Sequence, residues 1–547
     1  MTKQQIGAED IDFDAGGAGA VNTFSRIKPD GTSGTYTQLS AAHVPVLDAP
    51  VVASARTPFA AITPATDRDA EECMRRMRIN TREMKNIEHY GAVAGSGIAA
   101  ADAERNTQAW RKALDDINSE GRNNGIFGPG ARYEFKRISG ASGLYAANIL
   151  PFETSGAVKV GNVVVAGAPG TVFATHSAEG VAPLFYATGV SNLFFLDLQL
   201  YGSSGSPASV IRLDPLAAGI MDNIHIDRVT IGDGITLLSI AYTSGANYVK
   251  NLFVTNNTFL NGTAEGIGTS DVSGAVIKDN VFSGTNIGIK MDSIGTAGFG
   301  QYRVEGNKLV NGTVTQSISM AVSSFADAIH NSVTVNDNRL SNGIISTIDV
   351  NVVDIMNNTL FAGRVVVTVS SSVASARLVK INENKIQGQA SGTLSALQIA
   401  CGSANMRRWF IQNNDIYFAR GHAIHVLANG AGARLRGGDI SHNMILDPGQ
   451  ATHNTFDGIL IDNNNATAGV SETMVLFNRV TSTNAVLKMR RGVSEVAGGV
   501  SDFNRYISTM VKGWGTGTIS PLAAGSSSRI NAAEVTTEST IDLGTGV

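Results

Sequence analysis

The chain has 547 residues, of which 60 are Gly, 13 Pro and 2 Cys; 16% are charged and the net charge is −4. With 43% hydrophobic residues there is ample apolar surface to bury, which excludes a disordered chain, and Gly falls far short of the one in three that collagen needs. The 42 basic and 46 acidic residues nearly balance, so no cationic field favours nucleic acid. Two cysteines build no disulfide framework, and no apolar run is long enough for membrane insertion.

The N-terminus, MTKQQIGAEDIDFDAGG, lacks the basic start and apolar run of a signal peptide. Residues 1–65, rich in Gly, Ala, Ser and Thr, read as a small irregular β-containing piece or arm. A helix is expected over 66–84. Thr66 or Asp67 is placed to cap it, acids crowd its first turn and Arg75, Arg76, Arg78 and Arg82 follow, which matches the helix dipole. Residues 1–85 are taken together as an N-terminal region. Residues 86–135 then show Tyr90-Gly91-Ala92, a Gly95–Gly97 turn, a helix over 104–119 and Pro129-Gly130-Ala131-Arg132-Tyr133. That helix lines Thr107, Trp110, Leu114 and Ile117 along one face, which suits it to cover an apolar end.

From about residue 190 one phrase recurs: apolar, any, apolar, two polar, Asn, any, apolar. FVTNNTF, VIKDNVF, VTVNDNRL and VKINENKI are instances. Their Asn residues are Asn257, Asn280, Asn307, Asn338, Asn358, Asn384, Asn414, Asn443, Asn478 and Asn504, with Asp197 and Asp227 in the same slot of two earlier units; the mean spacing is about 28. A second apolar stripe follows about ten residues after each Asn: Ile267, Ile289, Ile318, Ile348, Val367, Leu397, Ile424 and Ile459. Short strands at this period, with no crossover helix, fit a solenoid whose coils stack strand on strand. Propeller blades need longer repeats, and hairpins would show two-residue turn signals. The expected fold is all-β: a right-handed parallel β-helix of about 12 coils with an Asn ladder and an N-terminal capping helix. Its parts are 86–155 (entry strand and cap), 156–510 (coils) and 511–547 (end cover or tail). Asn suits such a turn because it tolerates the left-handed region and bonds local backbone.

The 86–135 module and the repeats together resemble the pectate-lyase-like parallel β-helix family that includes bacteriophage tailspikes and polysaccharide depolymerases. The likeness is specific over about 50 residues and diffuse over the coils. It implies a carbohydrate substrate and a trimer of side-by-side helices. It also implies an N-terminal region that attaches to a phage tail or baseplate protein, and a place on the virion tail. The motifs of polygalacturonase-type relatives are degenerate or displaced: RIK occurs at Arg26–Lys28, Asp115-Asp116 lies on the capping helix, and Gly421-His422-Ala423 only approximates GHG. No DPHD run and no calcium nonapeptide repeat is present, and no cofactor is expected.

Strand alternation proposes the chemistry. If Ile289, Ile348, Ile424 and Ile459 face in, then Lys290, Asp292, Asp349, Asn351, Gln398, His425 and Asp462 face out. Asp292 and Asp349, two coils apart, would stand about 9.6 Å from one another, close to the ~6.5–9.5 Å of inverting glycosidases. A denser cluster holds Arg420, His422, His425, His442, His453, Asp457 and Asp462, with Trp409, Tyr417 and Phe418 nearby; four of nine His fall between 422 and 453. His425 and Asp462 are expected on neighbouring coils. The expected catalytic set is therefore Asp292, Asp349, His425, Asp457 and Asp462, and the substrate-binding set Lys290, Gln398, Trp409, Tyr417, Arg420 and His422. Each of these is also readable as a solvated surface position, and Asp462-Asn463-Asn464-Asn465 as a polar loop rather than a calcium site. The functional expectation is cleavage of a bacterial surface polysaccharide by hydrolysis or β-elimination. The alternatives are a non-catalytic receptor fibre or adhesin, or an exported bacterial enzyme of the pectate-lyase type.

Overall fold

The computed structural model describes strands 22–27 and 33–38, residues 84–512 apart from short gaps (the longest 322–331), and strands 514–519, 529–530 and 536–537. Residues 66–83 of the expected N-terminal helix lie outside the described residues. The chain divides into Met1–Ile62 and Thr63–Val547. In the first unit, Asn22–Ile27 pairs antiparallel with Ser33–Gln38, Phe24 opposite Tyr36.

In the second unit every pairing between named strands is parallel and joins one coil to the next. One column of strands runs from Lys85–Asn86 through Val249–Thr255, Leu378–Asn382 and Arg434–Ser441 to Arg529–Ile530. A second, of short strands, includes Val281–Ser283, Lys385–Gln387 and Arg479–Thr481. A third includes Ile287–Asp292, Leu397–Cys401, Ile424–Ala428 and Ile459–Asn463. In earlier coils one long strand, such as Thr258–Ser270, serves both the second and third columns. The unit is a parallel β-helix.

Its interior is built of rows that follow the register. Val254, Ile277, Val304, Val335, Ile355, Ile381, Ile411 and Ile440 succeed one another in the first column. Ile267, Ile289, Ile318, Ile345, Val365, Leu397, Ile424 and Ile459 do so in the third. All are buried, and each contributes about 1.5–3 kcal/mol against exposure. The expected stripe needs two corrections here. Ile348 lies half-buried on the outer side, and Ile345, three residues earlier, takes the inward place. Val367 is inward too, but one step along from the row, which Val365 occupies.

The Asn ladder runs unbroken from Asn257 to Asn478. Each Nδ2 donates to the Oδ1 of the Asn one coil on, at 2.9–3.0 Å, and also to a backbone carbonyl. Each Oδ1 also accepts the backbone N–H of the Asn before it, as Asn384 does from Asn358 at 3.0 Å. The left-handed conformation belongs to the residue before each ladder Asn, not to the Asn itself: Asn256, Asp279, Gly306, Asp337, Asn357, Glu383, Asn413, His442 and Phe477 all have φ between 53° and 67°.

Three expected members fall outside the column. Asp227 stands opposite Thr255 and Asp197 opposite Arg228's position, so Val229 precedes Asn257 in the ladder slot, where its N–H donates to Asn257 Oδ1 at 2.9 Å. At the other end Arg479 stands opposite Met510, which places Thr509 under Asn478. Asn504 instead accepts the Thr473 N–H at 2.9 Å. A second, shorter ladder that the repeat does not announce links Asn162, Asn192 and Asn223 at 2.6–2.7 Å, all with positive φ.

Helix α1, Ala100–Glu120, covers the first coils. Its buried side carries Thr107, Trp110, Leu114 and Ile117. The Trp110 ring meets Phe152 and Phe185 edge-on at 5.5 and 5.4 Å, and its Nε1–H donates to Pro151 O at 3.0 Å. Buried Asn106 accepts the Val93 N–H and donates to Val93 O and Glu134 O, which ties the helix to the segment before it and to strand Arg132–Phe135 after it. Among the described residues no helix is long and apolar enough to cross a membrane.

Candidate functional site

Two adjacent strands of the third column, Ile424–Ala428 and Ile459–Asn463, bring the expected histidine and acid together. His425 stands opposite Leu460 and Asp462 opposite Leu427, so the two side chains meet on a diagonal. His425 Nε2 lies 3.3 Å from Asp462 Oδ2. Both are accessible, with 15% and 21% of their side-chain surface open. Gln398 stands opposite His425 one coil earlier.

His422 lies in the turn that leads into the first of these strands. Its ring centre is 5.2 Å from that of His425, and it meets Phe456 edge-on at 5.3 Å. Its Nδ1 accepts the Asp457 backbone N–H at 2.9 Å, which leaves the proton of the neutral ring on Nε2. Burial, then the charges of His425 and Arg490, pushes the His422 pKa down to about 3, so the ring is neutral at ordinary pH. Asp457 is wholly buried, and Arg490 grips both its oxygens at 2.9 and 2.5 Å. That two-point hydrogen bond holds the Arg490 pKa above its ordinary value and compensates a carboxylate that has lost its water. Asp457 is thus tied behind the His pair rather than presented to solvent.

The remaining expected residues distribute as follows. Trp409 is fully buried, packed over Gly438, where a Cβ would come within 2.0 Å of the ring; it belongs to the core and offers no stacking surface. Asp349 is also buried, at a left-handed position, with its carboxylate accepting the Ser370 N–H and hydroxyl at 2.6 Å; Asn351 is buried as well. The expected pair with Asp292 across the outer face is therefore not formed. The cause is the register of Ile345, which places Asp349 in the turn after its strand. Arg420 donates from Nε to Gly392 O at 3.0 Å. Tyr417 is half-buried at the end of Asp415–Tyr417, its hydroxyl pKa raised by burial and then by Asp415. His442 takes the left-handed turn position and lies against Phe477 at 5.2 Å, while His453 Nδ1 accepts the Lys488 N–H at 3.2 Å.

Asp292 lies six coils before Asp462 along the third column, about 29 Å at the usual strand spacing. There Lys290 Nζ sits 3.0 Å from Asp292 and 3.7 Å from Glu265, and Glu265 accepts the Thr236 hydroxyl at 2.6 Å. Asp292, by its hydrogen bond, raises the Lys290 pKa. Sequence reasoning missed Glu265 and Arg490. Glu265 was within reach, two residues before Ile267 on a strand already identified, whereas nothing local links Arg490 to Asp457, 33 residues earlier. Among the described residues no group of three or more His, Cys, Asp or Glu is placed to hold a metal ion. In the Asp462–Asn465 run, Asn463 turns inward and accepts the Val470 N–H at 2.8 Å.

No family model matches the chain, and no curated protein matches it. Solved structures do. A variant of the tailspike protein of E. coli bacteriophage HK620 is 13% identical over 80% of this chain and 78% of that one, with TM-score 0.48. The A-module of a mannuronan C-5 epimerase from Azotobacter vinelandii is 17% identical over 83% of this chain and 99% of that one, TM-score 0.41. The catalytic unit of an α-1,3-glucanase from Streptomyces thermodiastaticus is 14% identical over 84% and 68%, TM-score 0.35.

Proposed function

We propose that the chain binds and cleaves a bacterial surface polysaccharide in the manner of a phage tailspike depolymerase, with the reaction centred on His425 and Asp462. The observation that carries this reading is the 3.3 Å contact between His425 Nε2 and Asp462 Oδ2 on an accessible wall. Asp462 accepts from Nε2–H and orients the ring, which leaves Nδ1 to take a proton: from the water that attacks the anomeric carbon in hydrolysis, or from the carbon beside a uronate carboxyl in β-elimination. In both a glycosidic C–O bond breaks, and the leaving oxygen takes its proton from solvent. His422, neutral with its proton on Nε2, is a hydrogen-bond donor beside that base. Arg490 and Asp457 hold His422 in place. The substrate class comes from the resemblance of the 86–135 module, and the same resemblance proposes a trimer attached to the virion through residues 1–85.

The acid pair Glu265 and Asp292 is a rival centre, but the Lys290 ammonium occupies the space between its carboxylates, where a glycosidic oxygen would have to sit. Turnover of host polysaccharide, read as new reducing ends and as the ultraviolet absorbance of an unsaturated uronate, tests the assignment. Asp462→Asn and His425→Gln should each lower the rate by about 10²–10⁴-fold and leave Glu265→Gln near wild type. Wild-type rates in both site variants would overturn it. Ends without absorbance identify a hydrolase, and absorbance a lyase. Neither signal on the cognate polysaccharide would leave a receptor-binding fibre.

A further inference from the structure

On the outer side of the first column, strands Asn405–Gln412 and Arg434–Ser441 place Arg407 directly opposite Arg436. The two α-carbons are about 4.8 Å apart, and like charges so placed repel. Arg408 is exposed beside them. No hydrogen bond or ion pair holds any of these three guanidinium groups among the described residues, although other polar side chains on the same two strands are partnered: Asp439 accepts from Gln412 at 2.9 Å, and Arg434 donates to Thr467 O and to Ala433 O.

The backbone carries a matching irregularity. Arg408, Gly437 and Glu472 sit at one position in three successive coils, all in the left-handed region, with φ 59°, 63° and 57°. For Arg this conformation costs energy. This stacked left-handed position, one residue per coil with the register kept, lets Arg407 and Arg408 both lie exposed on the outer side. Phe410, half-exposed, follows on the same face with Lys380 opposite it. The acids facing the patch are Asp439, opposite Phe410, with one carboxylate oxygen accepting from Gln412, Asp354, opposite Lys380 one coil earlier, and Glu472, one coil beyond Gly437.

We propose that Arg407, Arg408 and Arg436 form a binding site for an anionic polysaccharide segment. The planar guanidinium groups would take up carboxylate or sulfate groups of the chain in two-point hydrogen bonds, and Phe410 would offer an apolar surface to a sugar ring. This deepens the polysaccharide reading by naming the charge of the ligand, and it rests on that reading only for the ligand being a glycan. The site lies on a different column from His425, so it holds substrate and does no chemistry. Nucleic acid is the less favoured ligand, because the chain carries 46 acids against 42 bases and the patch spans only two coils.

Electrophoresis of the full chain through gels containing polygalacturonate, dextran sulfate or neutral dextran tests this, with single-stranded DNA titrated in parallel. Retardation by polygalacturonate or dextran sulfate but not by dextran is expected, and the two anionic gels show which group is preferred. Arg407→Gln with Arg436→Gln should weaken that binding at least tenfold and flatten its salt dependence. Lys308→Gln with Lys385→Gln, an equal loss of charge from exposed positions of the second column, should not. Equal binding by wild type and the arginine variant, equal losses in both variants, no retardation by either anion, equal retardation by dextran, or tighter binding to DNA would each overturn the proposal. Because binding is read without turnover, an inactive His425–Asp462 pair leaves this result unaffected.

Discussion

Asn358 shows what one side chain does in a stacked coil. Its Oδ1 accepts the Asn338 N–H and Nδ2, and its own Nδ2 donates to Val335 O, Met356 O and Asn384 Oδ1. Asn358→Ala strands several buried groups at once, each worth about 1–3 kcal/mol, so urea unfolding should show a loss of about 3 kcal/mol or more. Asn357→Gly, one residue away at exposed φ 54°, should change stability by less than about 1 kcal/mol. The ladder residue was legible because its role admits only one residue type. Its left-handed neighbour was not, because Asn, Asp, Gly, Glu, His and Phe all fill it.

A second residue-scale prediction concerns acid. His422 is buried neutral, its pKa lowered from 6.5 to about 3. The unfolded chain therefore binds a proton between those values that the folded chain does not, and stability falls as pH drops through that window. The slope is at most about 1.4 kcal/mol per pH unit. His422→Asn, which keeps an acceptor for the Asp457 N–H without titrating, should flatten the acid side of the stability curve; an unchanged slope would count against the buried neutral ring.

At the scale of the strand, alternation carries most of the reading; it places Trp409 correctly and fails at Asp349. Counting by twos back from inward Ile411 puts Trp409 inside, so its burial was available in the sequence; the pull of an aromatic beside a His and Arg cluster outweighed it. Asp349 was less accessible. Gly343–Ile348 contains Ile344, Ile345 and Ile348, so apolar content fits either parity, and only the pairing of Ile345 with Ile318 and Val365 decides it. By contrast, His425 and Asp462 were placed correctly on adjoining coils because their strands have unambiguous inward residues. Gly438 tests the packing that follows from the register. A methyl there meets the buried Trp409 ring, so Gly438→Ala should cost about 1–3 kcal/mol. Trp409→Phe in the Gly438→Ala background should recover part of that, since the double variant makes room where the single one collides.

At the scale of the solenoid unit, each coil touches its neighbours and little else, so stability is approximately a sum of coil and interface terms. Such a stack is weakest at an uncovered end, and helix α1 supplies the cover for the first coils. The helix itself was legible from its apolar face; that Trp110 locks onto Phe152 and Phe185 was not, because those rings come from two later coils. Trp110→Ala removes this anchor together with the hydrogen bond to Pro151 O, at about 3–5 kcal/mol. The loss should be local. Hydrogen exchange should accelerate at Gly125–Gly128, Arg132–Phe135 and Val163–Gly167, where the first coils stack, while the ladder coils from Asn384 to Asn478 keep wild-type protection. Because a nearest-neighbour stack transmits destabilisation only through successive interfaces, the protection lost should decay from coil to coil away from the helix. A uniform loss along the whole unit would mean that the coils open together, and that the cap acts on a single cooperative block rather than on the end it covers.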